Sequence, residues 1–212
     1  MHKIQLLFST LLILLLVSFS PSKKGYKQVT NSKVVLAKLK SVADNTNTIT
    51  ADFKEETFLA AFSKPQLSTG KFYFQSKNKM RWMQNSPFEY IIMINGESLR
   101  IKNNGTEQKN IGSKNMAKKI NNFMLNMIKG NYHDDPNMKT TIYESASNYL
   151  LEMVPTEKPM NKIYTKFEMY FSKTTKRLES IIFFQPGGDK KITTFSNQKY
   201  NTKIENSIFT TL

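Results

Sequence analysis

The clearest strand in this sequence is Ile163–Ser172, which reads IYTKFEMYFS. Its side chains alternate, so that Phe167, Met169 and Phe171 share one face while Glu168 lies on the other. A period of two is typical of a strand with one buried and one solvated face. The stretch therefore predicts an antiparallel sheet that is apolar on one side.

The same alternation recurs at short spacing along the rest of the chain. Asn95-Gly96 separates two of these stretches and predicts a tight hairpin, because asparagine and glycine adopt the positive φ needed at both central positions. Pro186-Gly187-Gly188-Asp189 marks a second turn. About eleven strands are expected, near residues 49–54, 69–74, 80–84, 90–94, 98–101, 140–145, 148–154, 163–172, 175–184, 191–200 and 207–211.

Two amphipathic helices interrupt the strands. Apolar residues recur every three to four positions within residues 29–44, with lysines between them. The same spacing returns at residues 116–127, where Ser113 can cap the start and Gly130 the end. Short helices and many antiparallel strands predict a single domain built on a curved sheet or partial barrel.

The N-terminus has the layout of a secretory signal. Lys3 precedes an almost unbroken apolar run over Ile4–Phe19, and Ser20-Pro21-Ser22 follows it. The run is shorter than the roughly 20 residues that a membrane-spanning helix needs. We expect a signal peptide over residues 1–22 and an exported mature domain over residues 23–212, with an uncleaved N-terminal anchor as the alternative.

Composition excludes several classes of function. The chain has no cysteine, which removes disulfides, thiol nucleophiles, most zinc clusters and lipidation at an N-terminal cysteine. Lysine and arginine outnumber aspartate and glutamate by 31 to 16, which favours acidic partners such as anionic membrane surfaces. Because few of these cations are arginines, the lysine excess argues against sequence-specific binding of nucleic acid.

Enzyme and metal sites are not expected either. His133 is the one histidine of the mature chain, and no second histidine or cysteine cluster exists to complete a metal site beside it. Glu55 and Glu56 lie on opposite faces of a strand, so they cannot act as a facing acid and base. The chain also lacks a Gly-x-Ser-x-Gly nucleophile motif and a glycine-rich phosphate loop. We therefore expect no catalytic residue, no metal and no cofactor.

A series of short motifs resembles the periplasmic outer-membrane lipoprotein carriers, the LolA-like family. The series covers nearly the whole mature chain and keeps one order. Its members are Leu39-Lys40-Ser41, Ile49–Glu55, Gly70–Phe74, Met80-Arg81-Trp82, Pro87, Asn95-Gly96 with Leu99 and Ile101, and Phe123-Met124-Leu125.

The resemblance implies an α+β fold whose curved antiparallel sheet, of about eleven strands, forms a half-open β-barrel with a helical lid. It implies a monomeric periplasmic carrier, not an enzyme, that binds acylated lipoproteins by their acyl chains in a hydrophobic cavity. The expected partners are an inner-membrane lipoprotein-releasing transporter and an outer-membrane receptor, with no nucleic acid. The alternative is a periplasmic accessory or stress-sensing protein of the same fold that binds another lipid or a protein partner.

The resemblance also suggests which side chains line the cavity. The family latches its lid with an arginine before a proline, but Ser76-Lys77-Asn78-Lys79 stands there in this chain, so the latch is absent or made differently. The expected lipid-binding residues are Phe53, Phe72, Phe74, Met80, Trp82, Ile92, Ile94, Phe167, Met169 and Phe171 on the strands, and Ile120, Phe123, Met124 and Met127 on the lid.

Overall fold

An antiparallel sheet organises the part of the chain that the structure describes. This part comprises residues 23–76, 78–108, 122, 125–128, 130–131, 136–158 and 160–212 of a computed structural model. The expected signal peptide, residues 1–22, and the loop that holds His133 lie outside it. Within the described ranges, no helix is both long enough and apolar enough to span a membrane.

Twelve strands form this sheet in the described residues. Their bounds are Lys27–Gln28 (β1), Thr48–Phe58 (β2), Gln66–Gln75 (β3), Lys79–Ser86 (β4), Tyr90–Asn95 (β5), Ser98–Asn103 (β6), Thr106–Glu107 (β7), Met138–Glu144 (β8), Asn148–Pro155 (β9), Lys166–Ser172 (β10), Leu178–Phe184 (β11) and Lys190–Tyr200 (β12). The strand order is β1-β8-β9-β10-β11-β12-β2-β3-β4-β5-β6-β7. In the described residues β1 and β7 are therefore open edges, and the sheet does not close into a full barrel.

The expectation of about eleven strands differs from the structure at the ends of the sheet. Ten of the expected strands are present, and β1 and β7 are pairs of residues too short to show any alternation. The strand expected at residues 207–211 is wrong, because Asn206–Phe209 forms a 3₁₀ helix. Arginine side chains on the sheet donate hydrogen bonds to backbone carbonyls of this C-terminal segment. Arg81 Nη1 donates to Ile208 O at 3.0 Å, and Arg100 Nη1 donates to Thr210 O at 3.2 Å.

Strand β10 begins later than the sequence pattern indicated. Met160–Ile163 forms a one-turn helix, and Tyr164 N donates to Met160 O at 2.8 Å. Beyond this helix the predicted apolar face is confirmed, since Phe167, Met169 and Phe171 are all buried, but Glu168 on the opposite face is buried too and is not solvated as the alternation predicted. The pattern of apolar residues thus identified the buried face correctly but not the start of the strand.

The turn at Pro186–Gly188 lies where the sequence predicted it, but the turn at Asn95-Gly96 is made differently from the prediction. Asn95 pairs with Ser98, so the central residues of that turn are Gly96 and Glu97, and Gly96 has a φ of 63°. The turn with positive φ at both central residues is Asn104-Gly105, at 45° and 78°, which joins β6 to β7. Both hairpins exist, but the pairing register decides which residues form each turn.

The N-terminal helix, α1, spans Ser32–Asp44 and covers part of the inner face of the sheet. Asn31 caps its start, accepting a hydrogen bond from Val34 N at 3.4 Å. Val35 and Leu39 are buried against the sheet. The helix therefore packs by its apolar stripe, as its periodicity indicated.

A second helical segment at residues 125–128 lies beside α1, and Gly130 ends it as predicted. Gly130 has a φ of 73° and its N–H donates to Met127 O at 3.4 Å, while Asn131 N donates to Asn126 O at 3.0 Å. This is the Schellman pattern of a glycine-terminated helix. A Cβ at Gly130 would lie 3.0 Å from the Cβ of Ala43, so the segment ends directly against α1.

Most of the buried apolar side chains of the sheet lie on its inner face, in two clusters. One cluster joins α1 and Met127 to strands β8–β11, and the other joins Leu125 to strands β2–β5. Phe195 on β12 packs against both. The two clusters thus form one continuous inner surface, with the helices above it.

Candidate functional site

A cavity lies between this inner face, α1 and the helical segment 125–128. The space in it that is open to the centre of a water-sized sphere amounts to about 90 Å³. Most of the surrounding side chains are apolar. The described residues that line it are Leu39, Val42, Ala43, Thr46, Ile49, Ala51, Phe72, Trp82, Met127, Ile128, Phe171, Lys176, Arg177, Leu178, Ile181, Phe195, Gln198 and Tyr200.

Trp82 lies at the aromatic end of the cavity. Its indole stacks on the ring of Phe53, with centroids 4.1 Å apart, and meets Phe72 and Phe195 edge-on at 6.0 Å and 6.1 Å. Edge-to-face and offset-stacked contacts are the favourable geometries for aromatic rings. Trp82 is only partly buried although its neighbour Phe53 is fully buried, so the indole separates the packed core from the open space.

The opposite end of the cavity is polar. The Arg177 guanidinium lies over the ring of Tyr200, with its carbon 3.3 Å from the ring centroid, and its Nη1 donates a long hydrogen bond of 3.4 Å to Thr46 Oγ1. The Tyr200 hydroxyl donates to Gln198. Burial raises the pKa of Tyr200 above its usual value of 10.0, so the phenol stays neutral at ordinary pH.

Strand ends and one helix end bring these polar groups together. Lys176 and Arg177 precede β11, Gln198 and Tyr200 end β12, and Thr46 follows α1. Antiparallel pairing places the start of β11 beside the end of β12, and α1 ends at the same edge. The cavity therefore runs from these cationic strand ends, called here the cationic edge, toward an aromatic interior.

A carboxylate on the same face, Glu55, is buried but paired. Lys191 Nζ lies 2.9 Å from Glu55 Oε1, and Thr193 Oγ1 donates to Glu55 Oε2 at 3.3 Å. A buried carboxylate with both oxygens in contact with donors is a structural ion pair. In the described part of the chain, no group of three histidine, aspartate or glutamate side chains could hold a metal ion.

The fourteen expected lipid-binding residues fall into three groups: those that line the cavity, those that pack around it, and those outside the described residues. Phe72, Trp82, Met127 and Phe171 line the cavity. The others on the strands pack around it: Phe53, Phe74, Met80, Ile94, Phe167 and Met169 are buried in the two clusters, and Ile92 is partly buried against one of them. Ile120, Phe123 and Met124 lie outside the described residues.

Several lining residues were missing from the expected set. Leu39 and Val42 come from α1, whose apolar stripe was visible in the sequence but was not assigned to a site. Phe195 comes from β12, where alternation is interrupted by a shift in register between Ser196 and Lys199. No sequence signal placed Arg177 at the cavity, because that depends on the strand pairing.

Comparison with known proteins identifies a family. The family model described as outer membrane lipoprotein carrier protein LolA matches residues 44–211, which include strands β2–β12. No curated protein matches the chain.

Several solved structures align with most of this chain. A LolA superfamily protein from Nitrosomonas europaea aligns with 10% identity over 85% of this chain and 98% of that chain, at a TM-score of 0.46. The MucA/MucB complex of Pseudomonas aeruginosa aligns with 12% identity over 82% and 59%, at a TM-score of 0.41. The lipoprotein LppX of Mycobacterium tuberculosis aligns with 9% identity over 82% and 99%, also at 0.41.

Likenesses of this low identity and TM-score carry no information about function. The family model, in contrast, spans most of the chain and includes every described lining residue of the cavity outside α1. The chain therefore belongs to the LolA family of outer membrane lipoprotein carrier proteins.

Proposed function

We propose that the protein is a non-catalytic periplasmic carrier that binds the acyl chains of lipoproteins and shuttles them from the inner to the outer membrane. The observation that carries this proposal is the apolar cavity between the inner face and the helices of a LolA family member. Export by the signal peptide over residues 1–22 is part of the proposal, and so is a monomeric mature domain over residues 23–212.

The chemistry of the lining suits an acyl chain. Removing one methylene from water contributes about 0.8 kcal/mol, so a long chain could be held by its length without any specific polar contact. Met127 and Ile128 on the helical side offer flexible and branched aliphatic surfaces, and Phe72 and Trp82 offer flat ones. Thioether side chains repack readily around ligands of varied shape.

The size of the cavity implies that the helices must move. Its 90 Å³ is well below the roughly 300–1,000 Å³ of most small-molecule pockets. Loading would displace α1 or the helical segment 125–128, which meet where Gly130 approaches Ala43. The free energy of separating these helices offsets part of the acyl burial, which keeps the affinity low enough for cargo to leave.

Transfer requires donor and acceptor proteins at the two membranes. We propose an inner-membrane lipoprotein-releasing transporter as the donor and an outer-membrane receptor as the acceptor. Without residues 1–22, whose one charged residue is Lys3, the net charge of the chain is +14, which suits approach to anionic membrane surfaces on both sides of the compartment.

One observation favours a variant of this function. The cationic edge at Arg177 suits a lipid with an acidic group, which fits the alternative of a periplasmic accessory or stress-sensing protein that binds another lipid. A ligand of either kind would occupy the same cavity.

The proposal can be tested with a diacylated peptide and the same peptide without acyl chains. Purified protein should bind the acylated form saturably, displace an apolar dye from the cavity, and ignore the unmodified peptide. Met127→Glu should abolish uptake, because it places a carboxylate in the apolar lining. Asn122→Glu, at an exposed helical position, is the matched control and should bind normally. Equal responses to both peptides would contradict an acyl-binding cavity.

A further inference from the structure

The polar end of the cavity carries positive charge that the described residues do not neutralise. Lys176 and Arg177 both line it, and no aspartate or glutamate occurs among the lining residues of the described ranges. Several cations elsewhere on the described strands, by contrast, form ion pairs with carboxylates. Arg100, for example, forms a two-pronged contact with Glu107 at 2.7 Å and 2.8 Å.

Arg177 is held in place by contacts that leave donors available. The guanidinium carbon lies 3.3 Å from the centroid of the Tyr200 ring, and Thr46 accepts a single long hydrogen bond from Nη1. A guanidinium has five N–H donors in a fixed plane, which match the oxygens of a carboxylate or a phosphate. The stack on Tyr200 reduces the side-chain entropy that would be lost on binding such an anion.

The distance between the two ends suits a molecule with a head and a tail. Phe195 beside Trp82 and Tyr200 at the cationic edge both lie on β12 and pair with Phe53 and Ile49 on β2, which are four positions apart, or roughly 13 Å along an extended strand. The apolar residues lie between and beyond them, on the same face. An acyl chain can therefore reach Trp82 while its polar end remains at Arg177.

We propose that the cavity binds a single-chain anionic amphiphile, with its carboxylate or phosphate oxygens on Arg177 and Lys176 and its acyl chain directed toward Trp82. The proposal rests on the acyl-binding function given above and specifies the ligand class of that same site. A single chain requires the least displacement of the helices, because only about 90 Å³ is open beforehand. A fatty acid and a lysophospholipid share the required chemistry.

The test compares three ligands with the same sixteen-carbon chain: palmitate, palmitoyl lysophosphatidic acid, and methyl palmitate as the neutral control. Trp82 fluorescence reports binding at concentrations below those at which the ligands form micelles. At least one of the anions should bind roughly tenfold more tightly than the ester. The anion that binds more tightly then shows whether the site prefers the carboxylate of a fatty acid or the phosphate of a lysophospholipid.

Substitutions at the cationic edge separate a head-group site from a structural contact. Arg177→Gln should remove the preference for the anion while leaving ester affinity unchanged, and Arg177→Lys should retain part of it. Lys199→Gln is the matched control, because Lys199 sits between Gln198 and Tyr200 but does not line the cavity.

The outcomes distinguish this inference from the function on which it rests. Tight binding of all three ligands with equal affinity would overturn the anion site and leave the acyl-binding function standing. Binding of none of them would overturn both. If Arg177→Gln weakened anion and ester equally, Arg177 would be a structural contact to Thr46 and Tyr200, and the proposed head-group site would be wrong.

Discussion

The indole of Trp82 and the ring of Phe53 stack with centroids 4.1 Å apart and planes inclined by 27°, at the boundary between core and cavity. Phe53 pairs across β2 and β3 with Gly70, and the ring passes close over this glycine. A Cβ at Gly70 would lie 2.5 Å from Phe53 Cζ and 2.1 Å from Met83 O. The bare backbone at Gly70 is thus what allows Phe53 to reach Trp82.

Gly70→Ala should destabilise the fold by about 3 kcal/mol, since the added methyl collides with backbone and with the Phe53 ring. Gly96→Ala is the control, because it replaces a glycine without creating a steric clash. A Cβ there meets nothing within 4 Å, and its φ of 63° predicts a cost of only about 1 kcal/mol. Urea unfolding of both variants measures the difference. Equal losses would contradict the close packing of Phe53 on Gly70.

Trp82 fluorescence should change saturably when an acyl chain enters the cavity. It is the only tryptophan of the chain and it lines the cavity, so its emission reports that site without a label. A titration with an acylated peptide beside its unacylated form provides the measurement. If another assay detects binding while the emission stays constant, Trp82 is a core residue and lies away from the ligand.

Glu168 on the outer face should make stability depend on pH. Burial opposes its ionisation, but hydrogen bonds from Lys23 at 2.6 Å, Tyr170 at 2.7 Å and Lys166 at 2.9 Å outweigh it and lower the pKa of Glu168 below its usual 4.5. A lowered pKa in the folded state stabilises the protein above the unfolded pKa. The contribution is lost as pH falls through the folded pKa.

Glu168→Gln should therefore lower the free energy of unfolding by about 2 kcal/mol at pH 7, and the difference from wild type should shrink below about pH 4. Denaturant titrations between neutral and acidic pH measure it. Glu205→Gln, which removes an exposed carboxylate 3.2 Å from Lys203, is the control and should have little effect at any pH. A loss at Glu168 that is constant with pH would contradict the predicted linkage.

Phe209→Ala should destabilise the fold by roughly 3–5 kcal/mol. Phe209 is fully buried, and the segment around it is fixed to the outer face by Arg81, which donates to Ile208 O and Thr211 O, and by Asn95, which donates to Phe209 O at 3.2 Å. Thermal unfolding measures the loss. Thr210→Ala, at an exposed neighbouring position, should change the midpoint little. An unaffected Phe209 variant would show that this segment does not pack on the sheet.

Strand and helix periodicity could be read from the sequence because it depends on neighbours in the chain. Alternation identified the buried face of β10, and the three- to four-residue spacing identified α1. The pattern could not show that residues 206–209 leave the sheet, because the competing hydrogen bonds come from Arg81 and Arg100, more than a hundred positions away. The register of the turn at Gly96 was likewise set by pairing between strands.

The candidate site could likewise be predicted from the sequence only in part. The sequence by itself determined that one face of the sheet is apolar and aromatic, and its motifs indicated the LolA family, because both are properties of local order along the chain. Only the tertiary structure decided where that face is left open, since Leu39, Trp82 and Phe195 meet through strand order and helix packing. It also placed Arg177 at the cavity, because long-range pairing brings the start of β11 to the end of β12 and to α1.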